Sequence, residues 1–291
     1  MDFMTETAQI IASYGRRYIV RTASGQTFDA TTRKKRVDFA CGDKVHITVV
    51  NAEQVVIEDY LPRQSLLYRQ DSWKTKLIAA NVTQLLIVLA AVPSPSEMLL
   101  QRALLAAEAA DIRPVIVLNK ADLPETAQWR RKLEFYETLG YQVVEVSALN
   151  NADILKPILS GHTNIFLGQS GMGKSTLTNA LLGNERARVG EISAALDSGR
   201  HTTTHAQLYD IDSETCLIDS PGLQEFGLHH LEATDLISYF PDLRHLAGKC
   251  RFHNCTHRAE PDCALKNAAE RGEVLPERVA FLQRITDELL R

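Results

Sequence analysis

Residues 165–175 read Ile-Phe-Leu-Gly-Gln-Ser-Gly-Met-Gly-Lys-Ser, a short apolar run followed by a glycine-rich turn, a lysine and a serine. The segment 168–175 fits the pattern G-x-x-x-x-G-K-[ST], which is specific when a strand precedes it and a helix follows it. Here the run 165–167 predicts the strand, and residues 174–182 predict the helix. The stretch therefore predicts an α/β fold with a phosphate-binding loop.

The predicted loop binds phosphate largely through its backbone. Glycines allow successive N–H groups to face phosphate oxygens, and the start of a helix adds partial positive charge. Lys174 is expected to place a full charge at the β- and γ-phosphates, and Ser175 to ligate Mg²⁺. The competing interpretation is a chance glycine turn at the start of a helix. The predicted phosphate-binding residues are Gly168, Gln169, Ser170, Gly171, Met172, Gly173, Lys174, Ser175 and Thr176.

The identity of the base needs separate evidence, because phosphate loops of this kind also bind ATP. Residues 119–122, Asn-Lys-Ala-Asp, follow an apolar run that predicts another strand. The Asp122 carboxylate can accept from guanine N1–H and from its exocyclic amine, whereas adenine offers neither donor at these positions. We expect Lys120 to lay its stem over the base. Asn119 either holds the loop or contacts the imidazole edge of the base.

Three further segments complete the predicted site. Ser147, Ala148 and Leu149 fit the loop whose backbone N–H meets guanine O6, although this tripeptide is weak evidence by itself. Asp219 follows a strand-like run and can reach Mg²⁺ through water, and the Gly222 N–H can meet the γ-phosphate. In Gly-Arg-His-Thr-Thr-Thr at 199–204, Thr203 is expected to complete the Mg²⁺ shell.

The order of these motifs is inverted relative to the usual GTPase, in which the phosphate loop comes first and Asn-Lys-x-Asp comes near the end. Here residues 119–122 precede residues 168–175, and residues 219–222 follow both. A circular permutation moves the termini but leaves the spatial site intact. The sequence therefore predicts a circularly permuted GTPase domain.

The group that activates the attacking water is harder to identify. GTPases of the Ras type place a glutamine after the corresponding Asp-x-x-Gly, whereas Leu223 stands here and cannot orient water. We therefore expect slow intrinsic hydrolysis. His201 is the candidate for positioning or deprotonating the water, and Lys174 and Thr203 are the other predicted catalytic residues. A surface histidine without a role is the alternative.

The N-terminal segment, about residues 8–57, is rich in Val, Ile, Thr and Tyr, and turn formers divide it into about five short strands. This pattern favours a small barrel of the oligonucleotide-binding (OB) type, with an SH3-like barrel as the alternative. The net charge of −4 does not attract nucleic acid to the protein as a whole. The basic run 33–36, Arg-Lys-Lys-Arg, is either a local RNA contact or a solvated loop.

The C-terminal segment contains Cys250, Cys255, His257 and Cys263, a set of three thiolates and one imidazole typical of a closed structural zinc site. His253 is a possible substitute ligand that we rank below His257. Pro276 is well placed in the first turn of a terminal helix. The two remaining cysteines, Cys41 and Cys216, are expected to be buried thiols.

The longest apolar run, 85–92, is far too short to span a membrane, and the N-terminus lacks the features of a secretory signal. We therefore expect a cytoplasmic protein without a membrane contact. Two other functional classes remain open from the residues alone. One is an RNA-binding assembly scaffold that uses GTP as an occupancy signal with little turnover, and the other is an ATP-dependent kinase or ATPase.

The permuted motif order, the switch at 199–204, the segment 219–228 and the Cys-x4-Cys-x-His-x5-Cys signature closely resemble the small-ribosomal-subunit-dependent GTPase family called RsgA or YjeQ. The resemblance covers nearly the whole chain. It implies an OB barrel at 1–66, a circularly permuted GTPase domain at 67–230 and an α-helical zinc-binding domain at 231–291. It also implies GTP hydrolysis that is stimulated by the bacterial 30S subunit late in its maturation.

The resemblance makes 16S rRNA the expected partner of the basic segments, alongside GTP and GDP. On the barrel, the expected RNA-facing residues are Arg16, Arg17, Tyr18 and the basic run 33–36. On the zinc-binding domain they are Lys249, Arg251 and Arg258. We expect the protein to act as a monomer.

Overall fold

The computed structural model describes residues 5–33, 38–71, 74–183, 206–220, 228 and 230–290; the side chains of residues 5, 69–71 and 74–76 are not described. Within these ranges no helix has both the length and the apolar character needed to cross a membrane.

Five strands near the N-terminus form a closed barrel: β1 (Thr5–Tyr14), β2 (Arg17–Thr22), β3 (Thr27–Thr32), β4 (Lys44–Val49) and β5 (Gln54–Tyr60). The hydrogen-bonded order is β1-β2-β3-β5-β4, and β4 pairs again with β1, which closes the barrel. Only the β3–β5 pairing among these is parallel. The predicted small barrel is confirmed. A hairpin of β6 (Leu66–Asp71) and β7 (Lys74–Ala80) follows.

Both faces of barrel strand β2 are buried, which corrects one expectation. Tyr18 is 1% exposed and lies inside the barrel, with its ring edge-on to Phe39 at 6.0 Å between centroids. Ile19, on the other face, joins the hydrophobic core of the central sheet. Tyr18 is therefore inaccessible to RNA, and its predicted place on an RNA-binding face is wrong.

An α/β unit follows the hairpin, with strands in the order β10-β9-β8-β11-β13-β12. All neighbouring pairs are parallel except β12–β13. The strands are β8 (Gln84–Ala90), β9 (Arg113–Asn119), β10 (Gln142–Val146), β11 (Thr163–Leu167), β12 (Gln207–Asp210) and β13 (Cys216–Asp219). The helices are α1 (Glu97–Ala109), α2 (Thr126–Thr138), α3 (Lys156–Leu159) and α4 (Lys174–Leu182).

The central strands are buried on both faces, as near-continuous apolar runs in a parallel sheet require. Leu85, Ile87 and Leu89 of β8 pack into one core together with α1, α2 and the C-terminal helices. Leu86 and Val88 point the other way, into a second core formed with α3 and α4. The sheet is therefore packed against helices on both faces, and this packing fixes the position of the edge at which the parallel strands end.

The barrel is joined to the α/β unit by main-chain and ionic contacts. Strand β1 pairs with β12, with Ala12 opposite Gln207, and the Ser13 N–H donates to the Ala206 carbonyl at 3.2 Å. The Arg21 guanidinium also forms a two-pronged ion pair with Asp210 at the end of β12. Both modules therefore share one 11-stranded sheet.

The C-terminal part contains two short 3₁₀ helices, Leu236–Tyr239 and Arg244–Leu246, and the helices α5 (Ala264–Glu270) and α6 (Pro276–Leu289). Pro276 stands in the first turn of α6, as predicted. The first of the two 3₁₀ helices has Asp235 at its N-cap position, and no side chain caps it.

Helix α6 is docked on α1 by charge pairs as well as by the shared core. Arg102 on α1 donates two bonds, of 2.6 and 2.8 Å, to the Glu288 carboxylate on α6. Arg278 on α6 is 6% exposed, pairs with Asp242 through two bonds of 2.9 Å, and reaches Gln101 on α1 at 3.3 Å. Because Arg278 is buried, the loss of one of these acceptors would leave part of its charge without a partner, so the contact favours this orientation of α6.

Candidate functional site

The predicted site residues converge at one edge of the parallel sheet. Asn119 ends β9, Ser147 follows β10, Gly168 follows β11 and Asp219 ends β13. Because the carboxyl ends of parallel strands meet at the same edge, loops that are remote in sequence become neighbours, and ligands of open α/β sheets bind there. The permuted order of the motifs does not alter this geometry.

A cavity of about 260 Å³ lies between the predicted base loop and the predicted phosphate loop. The base side contributes Asp122 and the phosphate side contributes Gly173, so the two motifs line one space. The full lining is Asn119, Lys120, Asp122, Leu123, Ser147, Ala148, Leu149, Gly173 and Thr176.

Asn119 connects the two loops. Its Nδ2 donates to the Met172 carbonyl oxygen at 2.8 Å, and its Oδ1 accepts from the Ala148 N–H at 3.0 Å. The side chain is 1% exposed, so both bonds are shielded from water. Of the two roles expected for Asn119, the structure shows the loop-holding one. The bond to the Asn119 Oδ1 occupies the Ala148 N–H, which is one of the backbone donors of the loop 147–149 predicted to meet guanine O6.

Gly173 permits the close approach of the loops. Its φ of +92° lies in the left-handed region, and a Cβ there would stand 2.2 Å from the Asn119 Nδ2. The neighbouring Met172 is 1% exposed and its sulfur accepts from the Ala90 N–H at 3.1 Å. The phosphate loop is therefore anchored to the end of β8 as well as to the base loop.

The base-side carboxylate is exposed and ionised. A hydrogen bond from the Ser147 side chain is the main cause that lowers the pKa of Asp122. Lys120, at a φ of +57°, donates from Nζ to the Val92 carbonyl oxygen at 2.7 Å. Its own carbonyl accepts from the Thr126 hydroxyl at the start of α2, at 2.9 Å. The loop is thus held at Lys120 by its side chain and by its carbonyl, while Asp122 lines the cavity.

On the phosphate side, the Lys174 ammonium folds back on its own loop. It donates to the carbonyl oxygens of Gly168 and of Gln169, the latter at 2.9 Å. Burial lowers the pKa of Lys174, and the negative charge of Asp219 partly opposes that shift. Ser175 and Thr176 are exposed at the start of α4, on the side open to a ligand.

One contact of the phosphate loop was not predicted. The Gln169 side chain accepts at 2.7 Å from the N–H of Ser96, and Ser96 is the N-cap of α1, with its hydroxyl accepting from Leu99. The available signal was the serine just before the first helical residues, which is a preferred N-cap type. This bond engages the side-chain oxygen of Gln169 and ties the phosphate loop to the start of α1.

Three predicted residues of the site, His201, Thr203 and Gly222, lie outside the described residues, as do the rest of the 199–204 switch and Leu223. Among the barrel's basic groups, Lys34, Lys35 and Arg36 also lie outside.

A second candidate site brings together Cys250, Cys255, His257 and Cys263, whose ligand atoms all lie within 4.8 Å of one another. The three sulfurs stand 3.5, 3.6 and 3.5 Å from the His257 Nδ1. In a tetrahedral site with metal–sulfur bonds of about 2.3 Å and metal–nitrogen bonds of about 2.0 Å, neighbouring ligand atoms lie ~3.5–3.8 Å apart. The donor set and its spacing fit a bound metal ion.

Outer contacts hold this cluster in shape. Gln283 on α6 donates to the His257 carbonyl, and burial lowers the pKa of His257, which favours the neutral imidazole that a ligand requires. Hydrogen bonds from Thr256 and Arg258 lower the pKa of Glu260 to about 2. His253, the possible substitute ligand that was ranked below His257, is exposed and lies outside the cluster.

Among the six described basic residues expected to contact RNA, four have acidic partners. Arg33 pairs with Glu58 at 2.9 Å and Arg17 with Asp29 at 2.7 Å. In the C-terminal part, Arg251 pairs with Asp262 at 2.9 Å and Arg258 pairs with Asp287. Arg16 and Lys249 are exposed. Exposed pairs of this kind are weak and can exchange an acidic partner for a phosphate.

Comparison with known proteins agrees with this geometry. A family model described as RsgA GTPase matches residues 60–229. The small ribosomal subunit biogenesis GTPase RsgA of Neisseria meningitidis is 78% identical over 288 residues, covering 99% of this chain and 94% of the relative. The protein of the same name from Nitrosomonas europaea is 46% identical over 287 residues, covering 97% and 91%.

Two solved structures also match nearly the full length. The crystal structure of YjeQ from Thermotoga maritima has a TM-score of 0.74 at 28% identity and covers 99% of both chains. The crystal structure of YloQ, a circularly permuted GTPase, has a TM-score of 0.72 at 26% identity and covers 98% of this chain and 95% of that one.

Proposed function

The chain belongs to the RsgA GTPase family and is a GTP-hydrolysing enzyme of ribosome biogenesis, and from that premise we propose that it acts on the 30S subunit late in its maturation. We propose further that the subunit stimulates hydrolysis and that 16S rRNA is the surface to which the protein binds. The observation that most directly supports the nucleotide site of this proposal is the Asn119 bridge, because Asp122 and Gly173, from the two loops that it joins, line one cavity.

The proposed base contact is made by Asp122. Its lowered pKa keeps it ionised at neutral pH, so it accepts from the two donors on the guanine edge. Adenine has no donors there, and the carboxylate would lose its partners. The Lys120 stem, tied to Val92, covers one face of the base, and Leu149 lines the same cavity while 83% exposed.

The proposed phosphate contacts are the backbone N–H groups of residues 168–176 and the Lys174 ammonium. Nucleotide phosphates would replace the carbonyl oxygens of Gly168 and Gln169 as partners of Lys174. Ser175 and Thr203 would hold Mg²⁺ directly and Asp219 through water, and the ion would neutralise charge on the phosphates. The Gly222 N–H is assigned to the γ-phosphate.

For the chemical step, we assign His201 to the attacking water, with Lys174 and Thr203 stabilising charge on the γ-phosphate. In hydrolysis, water adds to the γ-phosphorus, the bond to the β-phosphate oxygen breaks, and GDP and phosphate leave. Leu223 supplies no water-orienting amide, which is the reason to expect dependence on the ribosomal subunit.

The metal of the Cys250, Cys255, His257 and Cys263 cluster is assigned as a structural zinc ion. All four positions are filled by protein ligands, so no position is left for a substrate. The thiolate-rich set favours zinc over the hard cations, which prefer oxygen ligands.

The proposed division of labour places an OB-type RNA-binding domain at 1–66, the GTPase domain at 67–230 and the zinc-binding domain at 231–291. Arg16 and Lys249 are the exposed cations on the two outer modules with which RNA contact would begin. Since ribosomal subunits mature in the cytoplasm, the protein is assigned to the cytoplasm. It is assigned separately as a monomer.

The decisive test measures single-turnover GTP hydrolysis by the purified protein with and without mature 30S subunits. A stimulation of ~10-fold or more is expected, because a partner must complete the water-activating arrangement. Equal rates with and without subunits would contradict the proposal and leave the scaffold interpretation.

A second experiment tests the base assignment. Asp122→Asn should weaken GTP binding at least ~100-fold and improve binding of xanthosine triphosphate, since an amide donates where the xanthine edge accepts. Asp153→Asn, on an exposed carboxylate paired with Lys156, is the matched control and should leave both affinities unchanged. Equal affinities of Asp122→Asn and the natural protein for GTP would refute the assignment.

A further inference from the structure

Phe252 is an aromatic residue at the surface of the metal-binding loop. Its side chain is 41% exposed, which is unusual for a phenylalanine and marks it among the large apolar residues that face solvent in the described chain. It stands between two of the cluster's cysteines, in the segment Cys250-Arg-Phe-His-Asn-Cys255. Neither the nucleotide chemistry nor the metal ligation uses this ring.

The loop that presents Phe252 is closed at both ends. Cys250 and Cys255 are both members of the metal cluster, and the Cys255 N–H donates to the Phe252 carbonyl at 3.2 Å. A bound metal would fix both ends of this short segment. The exposed ring thus lies on a turn whose two ends the metal would hold. Because the turn is already ordered, little conformational entropy is lost when a partner covers the ring.

A cation lies over one face of the ring. The Arg251 guanidinium carbon is 5.5 Å from the Phe252 ring centroid, and Arg251 is itself oriented by its ion pair with Asp262 at 2.9 Å. Lys249 and His253 are exposed on the same loop. An aromatic face flanked by cations and hydrogen-bonding side chains is the combination that binds single-stranded nucleic acid, because bases stack on the ring and phosphates meet the cations.

The surroundings favour a base over an apolar protein surface. The residues next to Phe252 in the loop, Arg251, His253 and Asn254, are polar and exposed, so the chain on either side of the ring adds no apolar surface to it. A protein partner would bury a contiguous apolar patch of several hundred Å². A single nucleobase requires only one ring face.

We propose that Phe252 is a stacking platform for an unpaired RNA base, with Arg251 and Lys249 contacting the adjoining phosphates. This inference rests on the proposed binding to 16S rRNA and gives the zinc-binding module a specific share in it. Since an aromatic ring stacks on every base, the site would prefer unpaired over paired RNA and would show little sequence preference.

The test uses the full-length, metal-loaded protein and a 12-nucleotide unstructured RNA that carries 2-aminopurine and a terminal fluorophore. Anisotropy gives the affinity, and quenching of 2-aminopurine reports stacking. Phe252→Ala should weaken binding about 5- to 100-fold and abolish most of the quenching. Phe252→Trp should keep both. Phe252→Leu, which retains apolar bulk without a π face, should behave like Phe252→Ala.

Salt dependence separates stacking from charge. Phe252→Ala should leave the slope of log K against log salt unchanged, because no phosphate contact is removed, whereas Lys249→Ala should reduce it. Leu290→Ala, at another exposed apolar residue, is the control for nonspecific loss of surface. Because the Phe252 side chain is exposed, metal content and melting temperature should be those of the natural protein.

Several outcomes would overturn the inference. Affinity or quenching equal to the natural protein in Phe252→Ala, or retained binding in Phe252→Leu, would exclude stacking. Weaker binding of Phe252→Ala to 30S subunits with unchanged binding to the RNA probe would instead indicate a ribosomal protein as the partner. If 30S subunits stimulate GTP hydrolysis by the natural protein, a negative result with the Phe252 variants removes only this inference. If they do not stimulate it, the proposed function fails whatever the Phe252 variants show.

Discussion

The Nδ2 atom of Asn119 lies 2.8 Å from the carbonyl oxygen of Met172, and this bond joins the base loop to the phosphate loop of the nucleotide site. The two residues are separated by 53 positions and meet only because β9 and β11 end at one edge of the sheet. The site is therefore preorganised before a nucleotide arrives, which reduces the cost of binding.

Asn119→Ala should reduce the free energy of unfolding by about 2 to 4 kcal/mol, because it leaves the Met172 carbonyl and the Ala148 N–H without their buried partner. Nucleotide affinity should fall as well, since the loops lose their connection. Chemical denaturation and GDP titration measure the two effects. Asn150→Ala removes an exposed amide from the same region and should change stability by less than about 1 kcal/mol. Similar losses in both variants would contradict the bridging role.

Gly173→Ala should abolish nucleotide binding. The new Cβ would stand 2.2 Å from the Asn119 Nδ2 at a φ of +92°, so the loop must move away from the base side. Gly140→Ala is a matched control with a φ of +91° and nothing within 4 Å of the added atom. It should cost about 1 kcal/mol of backbone strain and leave binding unchanged. Calorimetric titration with GDP measures the affinity of both variants. If Gly173→Ala still binds GDP, the predicted clash of its Cβ with Asn119 does not block the site.

His257→Ala should lose the bound metal, and the C-terminal module should then become sensitive to proteolysis, because much of its local folding energy would come from ligation. His253→Ala should keep one metal per chain, because His253 stands outside the cluster. Elemental analysis of the purified variants checks both. The reverse result, with metal lost on replacing His253, would make that histidine the ligand.

The Arg102–Glu288 pair should show a coupling free energy of about 1 kcal/mol in a double-mutant cycle. Its side chains are 19% and 33% exposed and its geometry is two-pronged, which limits screening by solvent. The Arg271–Glu273 pair has the same residue types but side chains 55% and 49% exposed, and should show no measurable coupling. No measurable coupling between Arg102 and Glu288 would mean that this pair does not hold α6 on α1.

Stability should decrease between pH 7.5 and pH 5 because of His162. Burial, and secondly the Arg113 guanidinium, lower the pKa of His162. The neutral ring fits its contacts with the Thr83 hydroxyl at 3.1 Å and Arg113 at 3.4 Å. Because the folded pKa lies below the unfolded value of about 6.5, the unfolded state takes up the proton first.

The stabilisation from His162 is therefore complete above pH 6.5 and is lost as the pH falls from there through the folded pKa. Melting temperatures measured across this range should fall less in His162→Gln than in the natural protein. Arg113→Gln removes the repulsion between the guanidinium and the protonated His162 ring. The pH dependence of its melting temperature should therefore lie between those of the natural protein and of His162→Gln. Parallel curves for all three proteins would exclude His162 as the cause.

Local patterns predicted the elements of the nucleotide site well. The helix predicted at 174–182 is α4 as observed, since a glycine-rich turn, a lysine and an apolar periodicity act within a few residues of one another. The ligand cluster of Cys250, Cys255, His257 and Cys263 likewise follows from spacing, because a tetrahedral metal needs four donors within a short loop.

Predictions about surfaces were less successful for a physical reason. Tyr18 stands in an alternating strand pattern that suits a half-exposed barrel, but the barrel packs against the α/β unit and buries β2 on both faces. The alternation of apolar and polar residues along one strand does not show which other part of the protein covers the outer face of that strand. In the same way, the charge of Arg17 or Arg258 did not indicate that Asp29 or Asp287 would lie beside it.

The sequence by itself determined the chemistry that we propose for this protein. The expected phosphate loop, base-reading carboxylate and four-ligand cluster each depend on a few neighbouring residues, because their geometry depends on local backbone conformation. The tertiary structure alone decided that Asn119 holds the two halves of the nucleotide site together, that Gln169 is anchored to the start of α1, and that Tyr18 is hidden. These contacts join segments far apart in the chain, so they arise from the packing of the sheet and its helices and not from any local pattern.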